Sequence, residues 1–323
     1  MAGGSMYTLG IDIGGTKIAG AICDDDNKII SQWREPTPED PEDINAVIVE
    51  MYRKSVELYG AVPRMGISAA GNVKEDRRTV TFSANIAQWI DYPLAERIEE
   101  LTDHECKVIV ENDANCAGWG EYILGTGRGS KNMVMLTVGT GLGGAIVING
   151  QLYRGSFGMA AELGHLPMVS DGDFCGCGLR GCAERYTSGN ALEHFAKSAV
   201  RRMPQKSKRL MELCDGDVNN LEGKMVSQAA QEGDELGLYA FGKIGEWLGR
   251  TMAAIAAVLD PDLFVIGGGV VSVGDILLEP ARYNYVRFLQ AAAYREHAKV
   301  LAATAGGDAG MIGAADLARI EED

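Results

Sequence analysis

One local plan occurs twice in this chain and restricts the folds that it can adopt. The apolar run 7–13 ends in the turn sequence GGTK, and two further apolar runs, 18–23 and 29–33, follow directly. Residues 132–153 repeat this order, with the turn sequence GTGLGG after the first run and an Asn-Gly turn after the second. Each copy predicts an antiparallel meander of three strands with a glycine turn between the first two. Because helical segments follow both copies, the sequence predicts two α/β domains of similar plan that face each other.

The rest of the chain supplies the helices and the remaining strands of these domains. Apolar spacing of three and four residues predicts helices over 44–59, 93–101, 114–124, 188–203, 234–259, 277–294 and 311–320. Short apolar runs predict strands over 65–70, 107–111, 263–266 and 299–303. Residues 204–233 are polar and give no prediction. We therefore expect a smaller N-terminal domain, 6–113, completed by the C-terminal segment 305–323, and a larger domain, 114–304.

Composition argues against several classes of function. The 323 residues carry a formal net charge of −15, whereas a protein that binds a phosphate backbone needs clustered Lys and Arg. No apolar run reaches the length of a membrane span. Seven cysteines, an odd number, without a signal peptide indicate a reducing compartment. We therefore expect a cytoplasmic protein without a nucleic-acid or membrane partner. The first five residues, MAGGS, resemble the remnant of an expression tag.

One histidine and three cysteines are close together in the sequence ELGHLPMVSDGDFCGCGLRGCAE. They are His165, Cys175, Cys177 and Cys182, a ligand set suited to tetrahedral Zn²⁺ that leaves no position open for catalysis. The intervening glycines allow a short loop to turn back on itself. A disulfide or unrelated thiols are the alternatives, because the Cys-x-Cys spacing differs from that of zinc ribbons. The sequence predicts a structural zinc site.

Three predicted strands end in glycine clusters, at 14–15, 139–144 and 267–269. Glycines at the end of a strand allow backbone N–H groups to approach phosphate oxygens, because no Cβ intervenes. Although hairpin turns need glycine in any case, three such clusters favour a nucleotide phosphate site. The sequence GTGLGG matches the pattern of dinucleotide-binding proteins, but a β-rich run follows it instead of the required helix. A Walker P-loop is also excluded, because Gly15 is followed by Thr-Lys rather than by Lys-Ser or Lys-Thr.

These motifs together resemble those of a known family. The sequences GIDIGGTK, VENDAN, VGTGLGG, AAELGH and CGCGLRGCAE occur in this order and are similar to the motifs of the ROK (repressor, open reading frame, kinase) family. The resemblance implies an α/β, two-domain actin/hexokinase-like (ribonuclease H-like) ATPase fold with a cleft between the domains. It also implies an ATP-dependent sugar kinase, most similar to the actinobacterial glucokinases, which phosphorylates the 6-hydroxyl of glucose.

The resemblance assigns roles to individual residues. Asp113 is implied as the general base that takes the proton of the attacking hydroxyl, although an aspartate at a helix start is also a common N-cap. The resemblance implies that the sugar is bound by Asp113 together with Gly71, Asn85, Asn112, Glu162, His165 and Glu184. ATP is assigned to Gly14, Gly15, Thr16, Lys17, Gly139, Thr140, Gly141, Gly267 and Gly268. Asp12 is a candidate for holding Mg²⁺ through water, and His165 is expected to serve both zinc and sugar.

Other activities stay open beside this one. The family includes sugar-responsive repressors, but these carry an N-terminal helix-turn-helix for which there is no room before Gly14, and the acidic charge disfavours DNA. Mannose, fructose, N-acetylglucosamine and N-acetylmannosamine are alternative substrates, and polyphosphate is an alternative donor. The metal cluster and the third glycine cluster favour ATP. Because members of the family form dimers and tetramers, we expect a homo-oligomer.

Overall fold

The computed structural model describes residues 6–83 and 85–320, so the segment predicted to be a tag remnant lies outside the described residues. The chain forms two compact units. The first combines the residues up to Gly129 with Ala145–Ala161 and the residues from Thr304 onward, and the second combines Ser130–Gly144 with Glu162–Ala303. Residues 114–129 thus group with the first unit, whereas the sequence-based boundary follows residue 113. The division into domains at that residue stays a prediction.

The first unit is built on a five-stranded sheet. Its strands and those of a smaller sheet are β1 (Thr8–Ile13), β2 (Lys17–Cys23), β3 (Ile29–Pro36), β4 (Arg64–Ala69), β5 (Asn72–Val73), β6 (Val80–Phe82), β7 (Ile90–Tyr92) and β8 (Lys107–Asn112). The large sheet has the order β3-β2-β1-β4-β8, antiparallel from β3 to β1 and parallel from β1 to β8. Ile13 lies opposite Ala69, and Ala69 opposite Asn112. The carboxyl ends of three parallel strands therefore meet at one edge of this sheet.

The small sheet, β5-β6-β7, was not predicted from the sequence. Its strands contain only two or three residues each, too few to show an alternating pattern. The N-terminal part of this unit also contains the helices α1 (Pro41–Tyr59), α2 (Leu94–Leu101) and α3 (Asp113–Ile123). Helix α1 begins where the Asp40 side chain accepts a hydrogen bond from the Glu42 N–H, and it buries Ile44, Ile48 and Met51 in the core.

The second unit contributes most of another five-stranded sheet. The strands are β9 (Asn132–Val138), β10 (Leu142–Ile148), β11 (Gln151–Leu152), β12 (Leu263–Gly267) and β13 (Lys299–Ala302), in the order β11-β10-β9-β12-β13. Strands β9, β12 and β13 are parallel, so their carboxyl ends also share one edge. The later helices are α4 (Glu184–Thr187), α5 (Gly189–Arg202), α6 (Lys208–Leu213), α7 (Gly223–Gln231), α8 (Glu235–Leu259), α9 (Asp275–Phe288) and α10 (Ala309–Ile320).

Most predicted helices begin and end within a few residues of their predicted bounds. One helix ends earlier than predicted, for a local reason. Ser188 caps α5, as predicted, by accepting a hydrogen bond from the Ala191 N–H at 3.2 Å. The helix predicted over 277–294 instead ends at Phe288, and a separate 3₁₀ turn follows at Ala292–Tyr294. Ala291, between them, has a left-handed backbone with φ of 55°, which a helix cannot include. Helices α6 and α7 lie in the polar region for which the sequence gave no prediction.

Helix α10 returns to the sheet of the first unit and packs on it through glycines. A Cβ built at Gly10 of β1 would lie 2.0 Å from the carbonyl oxygen of Met311, and one at Gly66 of β4 would lie 1.8 Å from that of Ala314. A side chain at either strand position would therefore push the helix off the sheet. Among the described residues, no helix is both long and apolar enough to cross a membrane.

Candidate active site and metal centre

The predicted magnesium ligand Asp12 lies near the carboxyl end of β1. Its Oδ1 accepts a hydrogen bond from the Ser68 hydroxyl of neighbouring β4 at 2.6 Å. Burial raises the pKa of Asp12, while the Ser68 hydrogen bond and the charge of Lys17 act in the opposite direction. The sheet therefore holds a carboxylate, part-buried and oriented, directly before the first glycine turn.

The first glycine turn joins β1 to β2 and is closed by its own backbone. The Gly14 N–H donates to the Lys17 carbonyl at 3.0 Å, and the Thr37 hydroxyl donates to the Gly14 carbonyl at 2.7 Å. A Cβ at Gly15 would meet no atom closer than 3.7 Å, from the side chain of Asn85. Gly15 and Thr16 are exposed, so the turn presents backbone groups at the edge where the parallel strands end.

Asp113 is the first residue of α3, but it is not the N-cap. The cap is Asn112, whose Oδ1 accepts from the Asn115 N–H at 3.1 Å. The Asn112 amide also donates to the Gly71 carbonyl at 3.0 Å and to Asp113 Oδ1 at 3.2 Å. The capping alternative for Asp113 is thus wrong, because the preceding asparagine fills that position. The Asp113 carboxylate is instead oriented by Asn112 and by the Ala114 N–H at 2.9 Å.

Gly71 and Asn85, both predicted to face the sugar, lie close to this helix start and to the first turn. A Cβ at Gly71 would lie 2.5 Å from the Phe82 carbonyl oxygen, so glycine is required there by packing. The Ser83 hydroxyl donates to the Ala70 carbonyl at 2.7 Å and accepts from the Asn85 N–H at 3.2 Å. In the first unit the structure thus brings together, at one sheet edge, all residues predicted from that part of the chain.

The second glycine turn joins β9 to β10, and the strand that follows it excludes a dinucleotide fingerprint, as predicted. The Gly139 N–H donates to the Gly141 carbonyl at 3.0 Å, and the Gly139 carbonyl accepts from the Gly189 N–H of α5 at 2.7 Å. Thr140 at the tip is exposed. The turn is therefore anchored to the start of a helix of the same unit.

The third glycine cluster lies beside the second turn, at the end of β12. Gly268 has φ of 90°, and a Cβ there would lie 2.3 Å from the Val138 carbonyl oxygen. A pocket of about 470 Å³ extends from Gly139 and Gly269 to helix α7, where it is lined by Ser227, Gln228 and Gln231 among others. Its size is in the range for a small-molecule site. The α7 residues were missed from the sequence, although Val226, Ala229 and Ala230 gave a short helical spacing.

The predicted zinc ligands converge on one point in the second unit. The ligand atoms of His165, Cys175, Cys177 and Cys182 all lie within 4.8 Å of one another. Cys175 Sγ is 3.7 Å from His165 Nδ1, and Cys177 Sγ is 3.6 Å from Cys182 Sγ. Tetrahedral zinc, with bonds of about 2.0 to 2.3 Å, places its ligand atoms roughly 3.5 to 3.8 Å apart. The donor set therefore fits a four-coordinate metal ion.

The loop that carries the thiols is held by tight turns. The Cys175 N–H donates to the Leu179 carbonyl at 2.8 Å, and Gly181 has φ of 73° with no room for a Cβ against Val169. Burial raises the pKa of Cys175 and raises that of Cys182 to about 12. A dication at the centre supplies the charge that these sulfurs need to ionise.

Two carboxylates, Glu162 and Glu184, lie beside the cluster of His165 and the three cysteines. Glu184 connects this cluster to the second glycine turn. Glu184 Oε2 accepts from the Leu142 N–H at 3.0 Å, while its Oε1 lies 3.8 Å from Cys175 Sγ. His165 turns Nδ1 toward the thiols and Nε2 toward Glu162, whose Oε2 is 4.0 Å away. The two ring nitrogens thus face different environments, as a histidine with two tasks requires.

Comparison with known proteins identifies the relationship that these features indicate. The model of the ROK family matches residues 8–321. The chain belongs to the ROK family. It is 44% identical to the glucokinase of Streptomyces coelicolor over 315 residues, which is 97% of each chain. It is 32% identical over 272 residues to the N-acetylmannosamine kinase of Vibrio cholerae, covering 82% of this chain and 84% of that one.

A solved structure of the same family extends this likeness to three dimensions. The ROK glucokinase of Streptomyces griseus, crystallised in complex with glucose and AMPPNP, is 43% identical to this chain. The alignment covers 98% of this ROK chain and 100% of that protein, with a TM-score of 0.85. The predicted actin/hexokinase-like α/β fold is thereby confirmed.

Proposed function

We propose that this ROK protein is an ATP-dependent glucokinase, which transfers the γ-phosphoryl group of ATP to the 6-hydroxyl of glucose. The observation that carries the proposal is the 44% identity to a glucokinase over 97% of both chains. Two further observations support it: a carboxylate fixed at a strand-to-helix junction, and a pocket that continues from the second glycine turn.

Asp113 is the general base in this proposal. Its carboxylate takes the proton of the 6-hydroxyl while that oxygen bonds to the γ-phosphorus and the bond to the β-phosphate oxygen breaks, which releases ADP. The Asn112 amide and the Ala114 N–H fix one carboxylate oxygen. Asp113 is the first residue of α3, so its carboxylate lies at the positive end of the helix dipole. A positioned base of this kind contributes roughly 10²–10⁴-fold to the rate.

The two glycine turns and the α7 pocket hold ATP. Backbone N–H groups at Gly14, Gly15, Gly139 and Gly141 and the hydroxyls of Thr16 and Thr140 suit phosphate oxygens, and Lys17 adds a positive charge. The 470 Å³ pocket between Gly139, Gly269 and α7 suits the adenosine. Gly267 and Gly268, also assigned to ATP, directly precede Gly269 in the chain. Mg²⁺, when bound, neutralises phosphate charge, and Asp12 is the carboxylate that holds it through water.

In this proposal the residues that bind glucose are Asn85, Asn112, the backbone at Gly71, Glu162, His165 and Glu184. Carboxylates and amides placed by hydrogen bonds can each bond a sugar hydroxyl in a fixed direction. The Leu142 N–H that donates to Glu184 supports this assignment, since it holds the carboxylate in a fixed direction.

Zinc is structural in this proposal. Its ligands are His165, Cys175, Cys177 and Cys182, which fill a tetrahedral shell and leave no position for substrate. The ion would close the loop that carries Glu184 and fix the His165 ring, so that Nε2 is free of the metal. The 3.6–3.7 Å spacings between ligand atoms support this role.

Phosphorylation of N-acetylmannosamine is the second candidate, because a kinase for that sugar is 32% identical over most of the chain. Polyphosphate as donor is disfavoured by the nucleoside-sized pocket. Self-association as a dimer or tetramer is part of the proposal and rests on the resemblance to the family; light scattering of the purified protein tests it.

The decisive experiment is an ADP-release assay across a panel of sugars. We expect the highest kcat/KM for glucose, with weaker turnover of mannose, fructose and the two N-acetylhexosamines. When polyphosphate replaces ATP, we expect no formation of glucose 6-phosphate, which is measured directly because polyphosphate releases no ADP. Higher kcat/KM for N-acetylmannosamine would transfer the assignment to the second candidate. If no sugar of the panel stimulates ADP release, the proposed function is wrong.

A further inference from the structure

The residue before the Asn112-Asp113 pair is a buried carboxylate that directly follows the apolar run 108–110 of β8. Glu111 is 3% exposed, whereas Val108 and Val110 of the same strand pack in the core. A carboxylate removed from water must be paired or hydrogen-bonded on both oxygens, because its desolvation is otherwise costly. The residues that contact the two Glu111 oxygens therefore indicate the structural role of this carboxylate.

One oxygen of Glu111 binds arginines. Glu111 Oε2 lies 2.5 Å from Arg154 Nε and 3.5 Å from Arg77 Nε. Arg77 has a left-handed backbone, with φ of 53°, and its carbonyl accepts from the Val110 N–H at 2.8 Å, so it is fixed beside the strand. Arg154 precedes Gly155, in the loop after β11. Two guanidinium groups thus hold the carboxylate in one place.

The other oxygen of Glu111 binds the start of α3. Glu111 Oε1 accepts from the Asn112 N–H at 3.1 Å and from the Asn115 side-chain amide at 3.0 Å. Asn112 in turn caps the helix and donates to Asp113 Oδ1. The contacts form a continuous path from the arginines through Glu111 and Asn112 to the carboxylate of Asp113.

We propose that Glu111 is a positioning residue for the phosphoryl transfer, which fixes the first turn of α3 and thereby the direction of the Asp113 carboxylate. This inference deepens the proposed function and rests on Asp113 as its base. Glu111 itself does not touch substrate in this proposal. It acts through Asn112, with Arg154 and Arg77 holding its far oxygen.

The hydrogen-bond chemistry explains why a carboxylate is needed at this position. Glu111 accepts three hydrogen bonds, from the Arg154 guanidinium, the Asn112 N–H and the Asn115 side-chain amide, and Arg77 adds an ion pair at 3.5 Å. A carboxylate accepts from all three donors, whereas glutamine has one acceptor oxygen and turns its NH₂ group against the donors on the other side. Glu111→Gln therefore keeps the size of the side chain and breaks one end of the path.

The test compares Glu111→Gln with a buried carboxylate that contacts α3 at Trp119 rather than at its first turn. Asp316 is also 3% exposed and accepts from Trp119 Nε1 at 2.7 Å and Asn27 Nδ2 at 2.9 Å, so Asp316→Asn is the matched control. We expect Glu111→Gln to lower kcat about 10- to 100-fold, with KM for glucose and ATP changed less than about threefold. Asp316→Asn should lose stability in urea without a comparable fall in kcat. Equal kcat losses in the two variants, or an unchanged kcat in Glu111→Gln, overturn the proposal.

Arg154 provides the rescue. Arg154→Met removes the closest guanidinium and should lower kcat, whereas Arg154→Lys keeps a charged donor and should restore most of it. If the lysine variant is as slow as the methionine variant, the charge on Oε2 has no role in turnover and the proposal fails. Should Glu111→Gln not fold, Asn115→Ala removes one donor to Oε1 and carries the same comparison.

A double-mutant cycle separates this inference from the proposed function. If Glu111 acts through Asp113, then Asp113→Asn combined with Glu111→Gln is no slower than Asp113→Asn alone. Multiplied losses show that Glu111 acts by another route and overturn the inference while leaving the base intact. Near-normal turnover of Asp113→Asn overturns the base assignment itself, a result that the Glu111 variant alone cannot produce.

Discussion

The two glycine turns share one sequence plan but have different neighbours. The first is closed within its own meander, by the Gly14 N–H on the Lys17 carbonyl and the Thr37 hydroxyl on the Gly14 carbonyl. The second is held from outside, by the Gly189 N–H on the Gly139 carbonyl and by Glu184 on the Leu142 N–H. Glu184 follows the last predicted metal ligand by two residues. The second turn therefore depends on the metal loop, and the first does not.

The surroundings of the glycines show the same contrast. At Gly15 a Cβ would meet nothing closer than 3.7 Å, so the residue leaves space for a ligand. At Gly141 a Cβ would lie 2.3 Å from Glu184 Oε2, and at Gly164 one would lie 2.0 Å from the Leu142 carbonyl oxygen. Gly141 and Gly164 are thus required by the protein's own packing, whereas Gly139 of the same turn meets no atom within 4 Å. Within the turns, Gly15 therefore faces open space and Gly141 faces the protein.

Loss of the metal should have the largest effect, and only on the second unit. Cys175→Ala is expected to abolish zinc binding and glucose binding and to unfold the metal loop, since structural zinc contributes on the order of 10 kcal/mol in small zinc peptides. Zinc content and hydrogen exchange measure this, with protection lost over residues 162–189 and kept in β1 and β4. Cys116→Ala, an equally buried cysteine of the first unit, should cost only about 1–3 kcal/mol and retain zinc. A zinc-free Cys175→Ala enzyme with normal KM for glucose would show the assigned role to be wrong.

Loss of the base should leave both turns intact and stop the chemistry. Asp113→Asn is expected to lower kcat roughly 10²–10⁴-fold, with little change in stability. Asp275 is the matched control, because it is also the first residue of a helix, in the second unit, and pairs with Arg282 at 2.9 Å. Steady-state kinetics of Asp275→Asn should be unchanged. If kcat falls by a similar factor in the two variants, the loss reflects the removal of any carboxylate from a helix start, and the assignment of Asp113 as the base is wrong.

Alanine at one glycine of each turn should separate ligand access from packing. Gly141→Ala displaces the Glu184 carboxylate and should raise KM for glucose about tenfold, a loss of about 1.4 kcal/mol. Gly15→Ala meets only an ordinary contact with Asn85, so the fold should keep its stability while KM for ATP rises. Calorimetry and steady-state kinetics on both variants test this. A rise in KM for glucose that is equal in both variants would remove the distinction between the turns.

The smallest effect concerns the charge before the first turn. Ser68 donates to Asp12, a contact that lowers the pKa of a carboxyl whose burial raises it. Ser68→Ala should therefore raise the Asp12 pKa further and move the acidic limb of the kcat/KM profile to higher pH, by less than about one unit. Thr137 lies two residues before Gly139 of the second turn, as Asp12 lies two residues before Gly14 of the first. In Thr137→Val the acidic limb should stay in place, and a shift there would contradict the assignment to Asp12.

Local patterns predicted most strands, most helix bounds and the donor set of the metal site. The Ser188 cap, the apolar runs and the turn glycines depend on neighbours within a few residues, so the sequence displays them directly. Helix α7 was missed because it buries only three residues in a polar segment, although it lines the candidate adenosine pocket. The cap of α3 was misassigned between two adjacent residues, since asparagine and aspartate are equally good caps.

The sequence by itself determined that this chain has two glycine turns between strands, a Cys₃His donor set and an Asn-Asp pair at a helix start. Tertiary structure alone decided which glycines face open space and which pack against protein, as Gly10 does against Met311 some 300 residues later. It also decided that Glu111 joins Arg77 and Arg154 to the start of α3. The reason is physical: periodicity and turn chemistry are local, whereas burial and pairing depend on which distant segments the fold brings together.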